Sequence, residues 1–381
     1  MSNIKQNYTD FDEYIRQGEP TQKEKASIWQ TAIGLQAVDG LQTSDYLKAT
    51  ACKHIEGEID IDEARELINS YYQSKTLREP DDDEKLEADK VSANITKILS
   101  SQTLDFSMGG YISVHRRVFD GVFKHAGKLR DYDITKREWV LDGDTVNYLN
   151  WEDLRRAIDY DICHEKEFSY KGISPDAMVE HITRFVSGLW QIHAFCEGNT
   201  RTTAVFTILY LRSIGFKVDN SLFARHSWYF RNALVRANYK NALKGIDYTS
   251  VYLERFFRNL LLGDKWDLRN RYLHIHATDE WKVQQNLAGG TSNQQVEYKH
   301  GTSTGQVQDK LPTDNANIKR LIIVIGNQEL SVKSMMDALE LKGRDNFQNL
   351  YLKPAISEGY VRLLYPNSPH HPRQKYLLTI K

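Results

Sequence analysis

The chain has 381 residues, of which 40% are hydrophobic and 27% charged, and its formal net charge is −1. That balance belongs to a folded protein with room for more than one domain, and it excludes a global electrostatic pull toward nucleic acid or membrane. Cys52, Cys163 and Cys196 are too few and too scattered for a disulfide framework or a paired-thiolate metal site, so a reducing, cytoplasmic setting is expected; the polar N-terminus has no signal-peptide core and no apolar run is long enough for a membrane span.

Residues 1–78 read as a polar helical segment, in which Ile59–Ser74 sets Ala64, Leu67, Ile68 and Tyr71 at helical spacing. The acidic run Pro80–Asp89 reads as a solvated connection. Residues 90–265 form an apolar, aromatic-rich body. Within it, apolar residues flank Asp142-Gly143 across Glu138–Asn150, a hairpin signal. Ser174-Pro175-Asp176 starts a helix with a cap, a first-turn proline and an acid near the positive end of the helix dipole. Val179, Ile182, Val186, Leu189 and Ile192 then make one apolar stripe that runs into His193. A second helix begins near Thr200, carries Val205, Ile208, Leu209 and Leu211, and stops at Gly215. Residues 277–317 turn to Gly, Ser, Thr, Asn and Gln, the composition of a linker. A fold resumes at 318. Leu321–Ile325 is a short strand or helix start, Ser331 caps a helix through Leu341, and Asp345–Glu358 is another helix closed by Gly359. Tyr360–Tyr365 and Lys375–Ile380 read as a two-stranded wing. Helix, helix and hairpin in that order make a winged-helix pattern.

The chemistry concentrates in the nine residues His193-Ala-Phe-Cys-Glu-Gly-Asn-Thr-Arg201. One helix ends at a histidine, a short Gly-Asn loop follows, and another helix opens. Such a loop turns backbone N–H groups toward one spot and makes an anion site. Arg201, in the first turn of the new helix, can bridge phosphate oxygens. Glu197 is a hard oxygen ligand suited to Mg²⁺ held between phosphates. His193 is the group able to accept a proton near neutral pH. Base, metal ligand, anion nest and phosphate arginine suit phosphoryl-type transfer.

These residues resemble the Fic family, whose signature is HxFx(D/E)GNxRxxR; His193, Phe195, Glu197, Gly198, Asn199 and Arg201 match it. Val114–Arg130 resembles the family's helix leading into a hairpin, and 138–150 its flap, which clamps a protein target by strand pairing. The resemblance spans roughly residues 95–260 and implies a mainly α fold with a small β flap. It implies protein AMPylation with ATP as substrate and Mg²⁺ as cofactor. His193 would take the proton of a Ser, Thr or Tyr hydroxyl, Glu197 would hold Mg²⁺, and Gly198, Asn199, Thr200 and Arg201 would hold the nucleotide. Two positions depart from the pattern. Ala194 stands where many members have Pro, and Ala204 stands where the second arginine would be. Many Fic proteins also carry an inhibitory (S/T)xxxE(G/N) motif. Cys52–Gly57 has that spacing with Cys in the first place, so Glu56-Gly57 is expected to inhibit by reaching Arg201. The alternative for Glu56-Gly57 is a plain helix end with its glycine cap.

Residues 319–381 hold ten Lys or Arg against five Asp or Glu. This local excess points to DNA contact through Arg344, Arg373 and Lys375, or else to a dimerisation or docking module of the same shape. A DNA-binding regulator with a vestigial or nucleotide-sensing Fic core is the alternative to an enzyme. Transfer of phosphate or of another nucleotide is a further alternative.

Overall fold

The structure is a computed structural model and describes residues 11–74, 81–101, 103–218, 220–277, 315–325, 329–339, 341, 344–366, 368 and 371–379. Nearly all of the linker expected at 277–317 lies outside the described residues. The rest falls into two compact units, one within residues 1–240 and 246–289, the other within 241–245 and 290–381.

The first unit is helical. Its helices are α1 Asp12–Gln17, α2 Pro20–Gly34, α3 Asp45–Glu56, α4 Ile61–Ser74, α5 Asp82–Ser101, α6 Met108–Val118, α7 Leu154–Glu167, α8 Pro175–Ile192, α9 Asn199–Ser213, α10 Asn220–Ala237 and α11 Val251–Leu262. α8 starts as its sequence requires: the Ser174 hydroxyl accepts the Ala177 N–H at 3.2 Å, and Pro175 opens the first turn. Its stripe of Val179, Ile182, Val186 and Leu189 is buried. α9 is buried from Asn199 to Leu211, so it is the central helix of the unit. α5, α6, α8, α10 and α11 contribute to the same apolar core. A second cluster, from Trp29, Leu47, Ala51, Ile55, Ile68 and Tyr72, ties α2, α3 and α4 together. In α4 the buried face is Ala64, Ile68 and Tyr72, and Leu67 lies on the exposed side at 37%.

The N-terminal helices are fastened to the rest at one close approach. A Cβ on Gly34 would lie 2.4 Å from the Ala224 carbonyl oxygen, so only glycine lets α2 and α10 meet there. The Ser227 hydroxyl donates to the Gly34 carbonyl at 2.7 Å. A 3₁₀ turn, Leu35–Asp39, follows and ends on Gly40 in the left-handed region (φ 74°).

Three local expectations change. The acidic run is no solvated connection: from Asp82 onward it is the first half of α5, with Asp82 and Asp89 buried. Asp89 accepts from Ser44 N–H at 2.9 Å, Ser44 O–H at 2.5 Å and Tyr72 O–H at 2.8 Å, so tertiary donors replace water. The helix from Val114 stops at Val118, because a turn through Gly121 and Gly127, both with positive φ, carries the chain to Arg130. Residues 138–150 reverse through Asp142-Gly143, both left-handed, with Glu138 N–H donating to Asp144 O at 2.9 Å. No strand ladder follows among the described residues, since Trp139–Leu141 coils into a 3₁₀ turn that buries Val140 and Leu141.

The second unit contains α12 Ala316–Ile325, α13 Val332–Ala338, α14 Arg344–Phe347, a π turn Gln348–Leu352 and α15 Lys353–Ser357. β1 Val361–Leu363 then pairs antiparallel with β2 Tyr376–Leu378, Val361 opposite Leu378 and Leu363 opposite Tyr376. Ile318, Leu321, Ile325, Met335, Phe347 and Leu352 form its own core. The Ser331 hydroxyl caps α13 by accepting the Ser334 N–H at 3.1 Å. Among the described residues the molecule is thus mainly α with one small antiparallel sheet. No described helix is long and apolar enough to cross a membrane.

Candidate active site

α8 ends at His193, whose backbone is left-handed (φ 48°, ψ 57°). A non-glycine residue held there stores roughly 1–3 kcal/mol of strain, and such residues cluster at functional sites. The residue is 3% exposed. Its ring lies 4.0 Å from the Tyr148 ring and edge-on to Trp190 at 5.2 Å. Neither ring nitrogen has a hydrogen-bond partner among the described residues. Burial, reinforced by the charges of Lys136 and Arg231, holds the imidazole well below its ordinary pKa. At neutral pH it is a free base with both nitrogens unengaged.

The loop after His193 is pinned from three sides. Arg130, with a side chain 0% exposed, donates from Nε to the His193 carbonyl at 2.8 Å and from Nη1 to Tyr132 O at 2.7 Å; its Nη2 reaches Ile192 O and Leu149 O. His115 stacks on Phe195 at 3.8 Å. Its Nδ1 accepts the Gly127 N–H at 2.8 Å, which leaves the proton on Nε2 to donate to Glu197 O at 3.0 Å. Burial lowers the His115 pKa to about 4, so this tautomer persists at neutral pH. Asn199 closes the loop: Oδ1 accepts the Phe195 N–H at 2.9 Å and Nδ2 donates to Phe195 O at 2.6 Å.

The Asn199 side chain is therefore committed to the loop, and what it offers an anion is its backbone. The first helical bond of α9 runs from Thr202 N–H to Gly198 O. The amides of Asn199, Thr200 and Arg201 thus have no helical acceptor and form the N-terminal anion site. The Thr200 hydroxyl accepts from Trp190 Nε1 at 2.9 Å. Gly198 is left-handed (φ 74°), and a Cβ there would fall 2.1 Å from Phe119 Cζ.

Arg201 is 2% exposed and faces three side chains. Its Nε lies 2.8 Å from Asp39 Oδ2, Nη1 donates to Gln36 Oε1 at 3.0 Å, and Nη2 donates to Glu87 Oε1 at 2.7 Å. The guanidinium sits 4.8 Å over the Phe119 ring. The partner expected for it, Glu56, is elsewhere. Glu56 is the exposed last residue of α3, accepts from the Tyr14 hydroxyl, and is followed by Gly57 as a left-handed cap (φ 83°). The helix-end reading is the correct one, because the 3₁₀ turn after α2, and not α3, faces α9. Leu35–Gly40 has the spacing of the inhibitory motif with Asp for Glu and Leu for Ser or Thr. That pattern is the signal by which Asp39 could have been found. Glu87, Arg130 and Arg231 carry no local signal at all.

Glu197 is half-exposed and paired with Lys136 Nζ at 2.8 Å. Among the described residues no group of three His, Cys, Asp or Glu could hold a metal ion. A lone carboxylate suits Mg²⁺ only where substrate phosphates supply further oxygens, which is how Mg²⁺ is commonly bound. His193, Gly198, Asn199 and Thr200 line one pocket together with Asp39, Lys136, Glu138, Trp190 and Arg231.

A buried unpartnered histidine, a run of open helix N-terminal amides and a buried arginine thus meet at the junction of two core helices. The sequence comparisons name the family: residues 105–211 match the Fic/DOC family, and residues 316–379 match the C-terminal domain of Fic-like proteins. The chain thus carries a Fic domain over residues 105–211. It is 23% identical to protein adenylyltransferase VbhT of Bartonella schoenbuchensis over 211 residues, 54% of this chain and 42% of that protein. The chain therefore spans less than half the length of that relative. Among solved structures, a Fic family protein from Desulfovibrio desulfuricans G20 is 18% identical, with 98% of this chain and 94% of that chain covered and a TM-score of 0.40. BepC from Bartonella tribocorum, solved with AMPPNP, is 16% identical over 48% of this chain and 88% of that one, with a TM-score of 0.38.

Proposed function

We propose that the protein transfers AMP from ATP to a Ser, Thr or Tyr hydroxyl of another protein. The observation that carries this reading is the unpartnered, free-base His193 beside the open amides of α9. In this reading a His193 nitrogen takes the proton of the target hydroxyl as its oxygen bonds to the α-phosphorus. The bond from that phosphorus to the bridging oxygen breaks, and pyrophosphate leaves with the electron pair. The amides of Asn199, Thr200 and Arg201 stabilise charge on the phosphate oxygens, and Arg201 holds the phosphates beyond the α. Mg²⁺, held by Glu197 and the phosphates, would supply charge neutralisation. The base contributes about 10²–10⁴ in rate.

Inhibition is part of the same reading. Asp39 and Glu87 occupy Arg201, Lys136 occupies Glu197, and Tyr148 covers His193. The resting state is thus closed at the phosphate arginine, the metal carboxylate and the base. The test is incubation with ATP labelled at the α-phosphate and Mg²⁺, comparing wild type, Asp39→Ala, His193→Ala and the double variant. Label on protein, raised by Asp39→Ala and abolished by His193→Ala, is the expected result. Absence of label in every folded form sinks the AMP-transfer reading.

A further inference from the structure

Ala204 leaves the first half of α9 without a second arginine: it is fully buried in the apolar core, and no charge projects from that position. A second guanidinium is nevertheless present. Arg231, on α10, has a side chain 16% exposed, and its Nη1 lies 3.2 Å from Asp39 Oδ1. The other oxygen of the same carboxylate, Oδ2, lies 2.8 Å from Arg201 Nε. One carboxylate is therefore straddled by two guanidinium groups from two helices. Paired oxygens on one centre, each facing an arginine, are also what a phosphate presents.

We propose that Arg231 is a substrate-binding residue, which together with Arg201 grips the ATP phosphates beyond the α once Asp39 withdraws, so that it takes the place of the arginine missing at 204. The proposal rests on the nucleotide-transfer reading above and assigns it a residue outside the motif. Three further observations support it. Arg231 lines the same pocket as His193, Gly198 and Thr200. Its other end is anchored: Nη2 donates to both oxygens of the buried Glu138, at 3.0 and 3.2 Å. The guanidinium carbon also lies 5.4 Å from the Trp228 ring centroid. Loss of the Asp39 carboxylate therefore opens one of the two contacts of Nη1, the other being the Val38 carbonyl at 2.7 Å, while Nη2 stays fixed, and a fixed fork loses little rotamer freedom when an anion arrives. Glu138 plays a positioning role, because it holds Arg231 and also accepts from the Tyr148 hydroxyl at 3.3 Å.

The experiment is calorimetric binding of ATP, AMP and inorganic tripolyphosphate to the full chain in the Asp39→Ala background. Arg231→Ala, Arg231→Gln and Arg231→Lys are added to that background, with thermal unfolding recorded for each. Arg231→Gln keeps a hydrogen bond to Glu138 and so stands in where Arg231→Ala fails to fold. The expected result is a Kd for ATP and for tripolyphosphate that rises ten-fold or more in the Ala and Gln variants. Lys should recover part of it, and AMP affinity should change less than three-fold. ATP affinity within two-fold of the background in the folded Gln variant overturns the proposal, even if label transfer persists. Loss of transfer in the background protein, with tripolyphosphate still bound through Arg231, overturns the transferase reading and leaves the arginine assignment standing.

Discussion

Gly198→Ala tests the geometry of the anion loop. Gly198 sits at φ 74°, where an alanine costs about 1–2 kcal/mol. Its Cβ would also lie 2.1 Å from Phe119 Cζ and 2.2 Å from Cε2, far inside contact distance. The Phe119 ring has little room to retreat. It stacks on Phe123 at 4.8 Å, lies against His115 at 4.8 Å, and carries the Arg201 guanidinium on its face. Overpacking of this kind costs about 1–3 kcal/mol. The single substitution should therefore lower unfolding free energy by about 2–5 kcal/mol in urea melts. A double-mutant cycle separates the two parts. Phe119→Ala alone should cost about 3–5 kcal/mol by leaving a cavity. Combined with Gly198→Ala it removes the overlap, so the pair should be less destabilising than the sum by about 1–3 kcal/mol. Strict additivity would mean that Phe119 does not lie over Gly198, and the account of the loop would fail.

Three further outcomes follow from named contacts. Lys136→Ala in the Asp39→Ala background should lower the Mg²⁺ concentration for half-maximal transfer two- to five-fold, the worth of one half-exposed ion pair, since Glu197 is then unpaired; a higher Mg²⁺ requirement would contradict this. Asn199→Ala leaves the N–H and C=O of buried Phe195 without their partners and should cost about 2–4 kcal/mol, with Asn199→Asp intermediate because it restores only the acceptor; equal melts for Asn199→Ala and wild type would show that the loop is held by other means. His54 and His115 are both lowered to about 4, chiefly by burial, so between pH 6.5 and 4 the unfolded chain binds protons that the folded chain does not. Stability should then fall as pH drops below 6.5, by about 2 kcal/mol per histidine at pH 5, and urea melts at pH 7 and pH 5 check it.

The candidate loop was legible because its parts are contiguous. Cap, proline, stripe, histidine, glycine and arginine occupy a single stretch, and each acts within a turn of its neighbours. The hairpin of the second unit was legible for the same reason. What failed to show was whatever depends on a partner far along the chain. The Pro80–Asp89 run looked solvated because its acids are dense, yet Asp89 meets Ser44 and Tyr72, and Glu87 meets Arg201, 114 positions away. Arg130 reads as one more surface cation until its side chain is seen to close on the His193, Tyr132 and Ile192 carbonyls. Asp142-Gly143 marks the turn in the sequence, but alternation alone cannot tell a flanking strand from a 3₁₀ turn that buries Val140 and Leu141.

Two similar motifs show what decides which acid meets Arg201. Both Glu56-Gly57 and Asp39-Gly40 end a helical segment with an acid and a left-handed glycine. Spacing is the same in both and residue type favours Glu56, yet only Asp39 is delivered to the site, because Gly34 allows α2 to meet α10 and the Ser227 hydroxyl then fixes the turn that follows. Asp39 reaches both Arg201 and Arg231 from there. The shorter aspartate suffices because the 3₁₀ turn brings its backbone close: Val38 O already accepts from Arg231 Nη1 at 2.7 Å. A glutamate at 39 would have to fold its extra methylene into a cluster where Glu87 and Glu138 already fill the other sides of the two guanidiniums. The acid at this position is thus coupled to both guanidiniums, since one Asp39 oxygen faces Arg231 and the other faces Arg201.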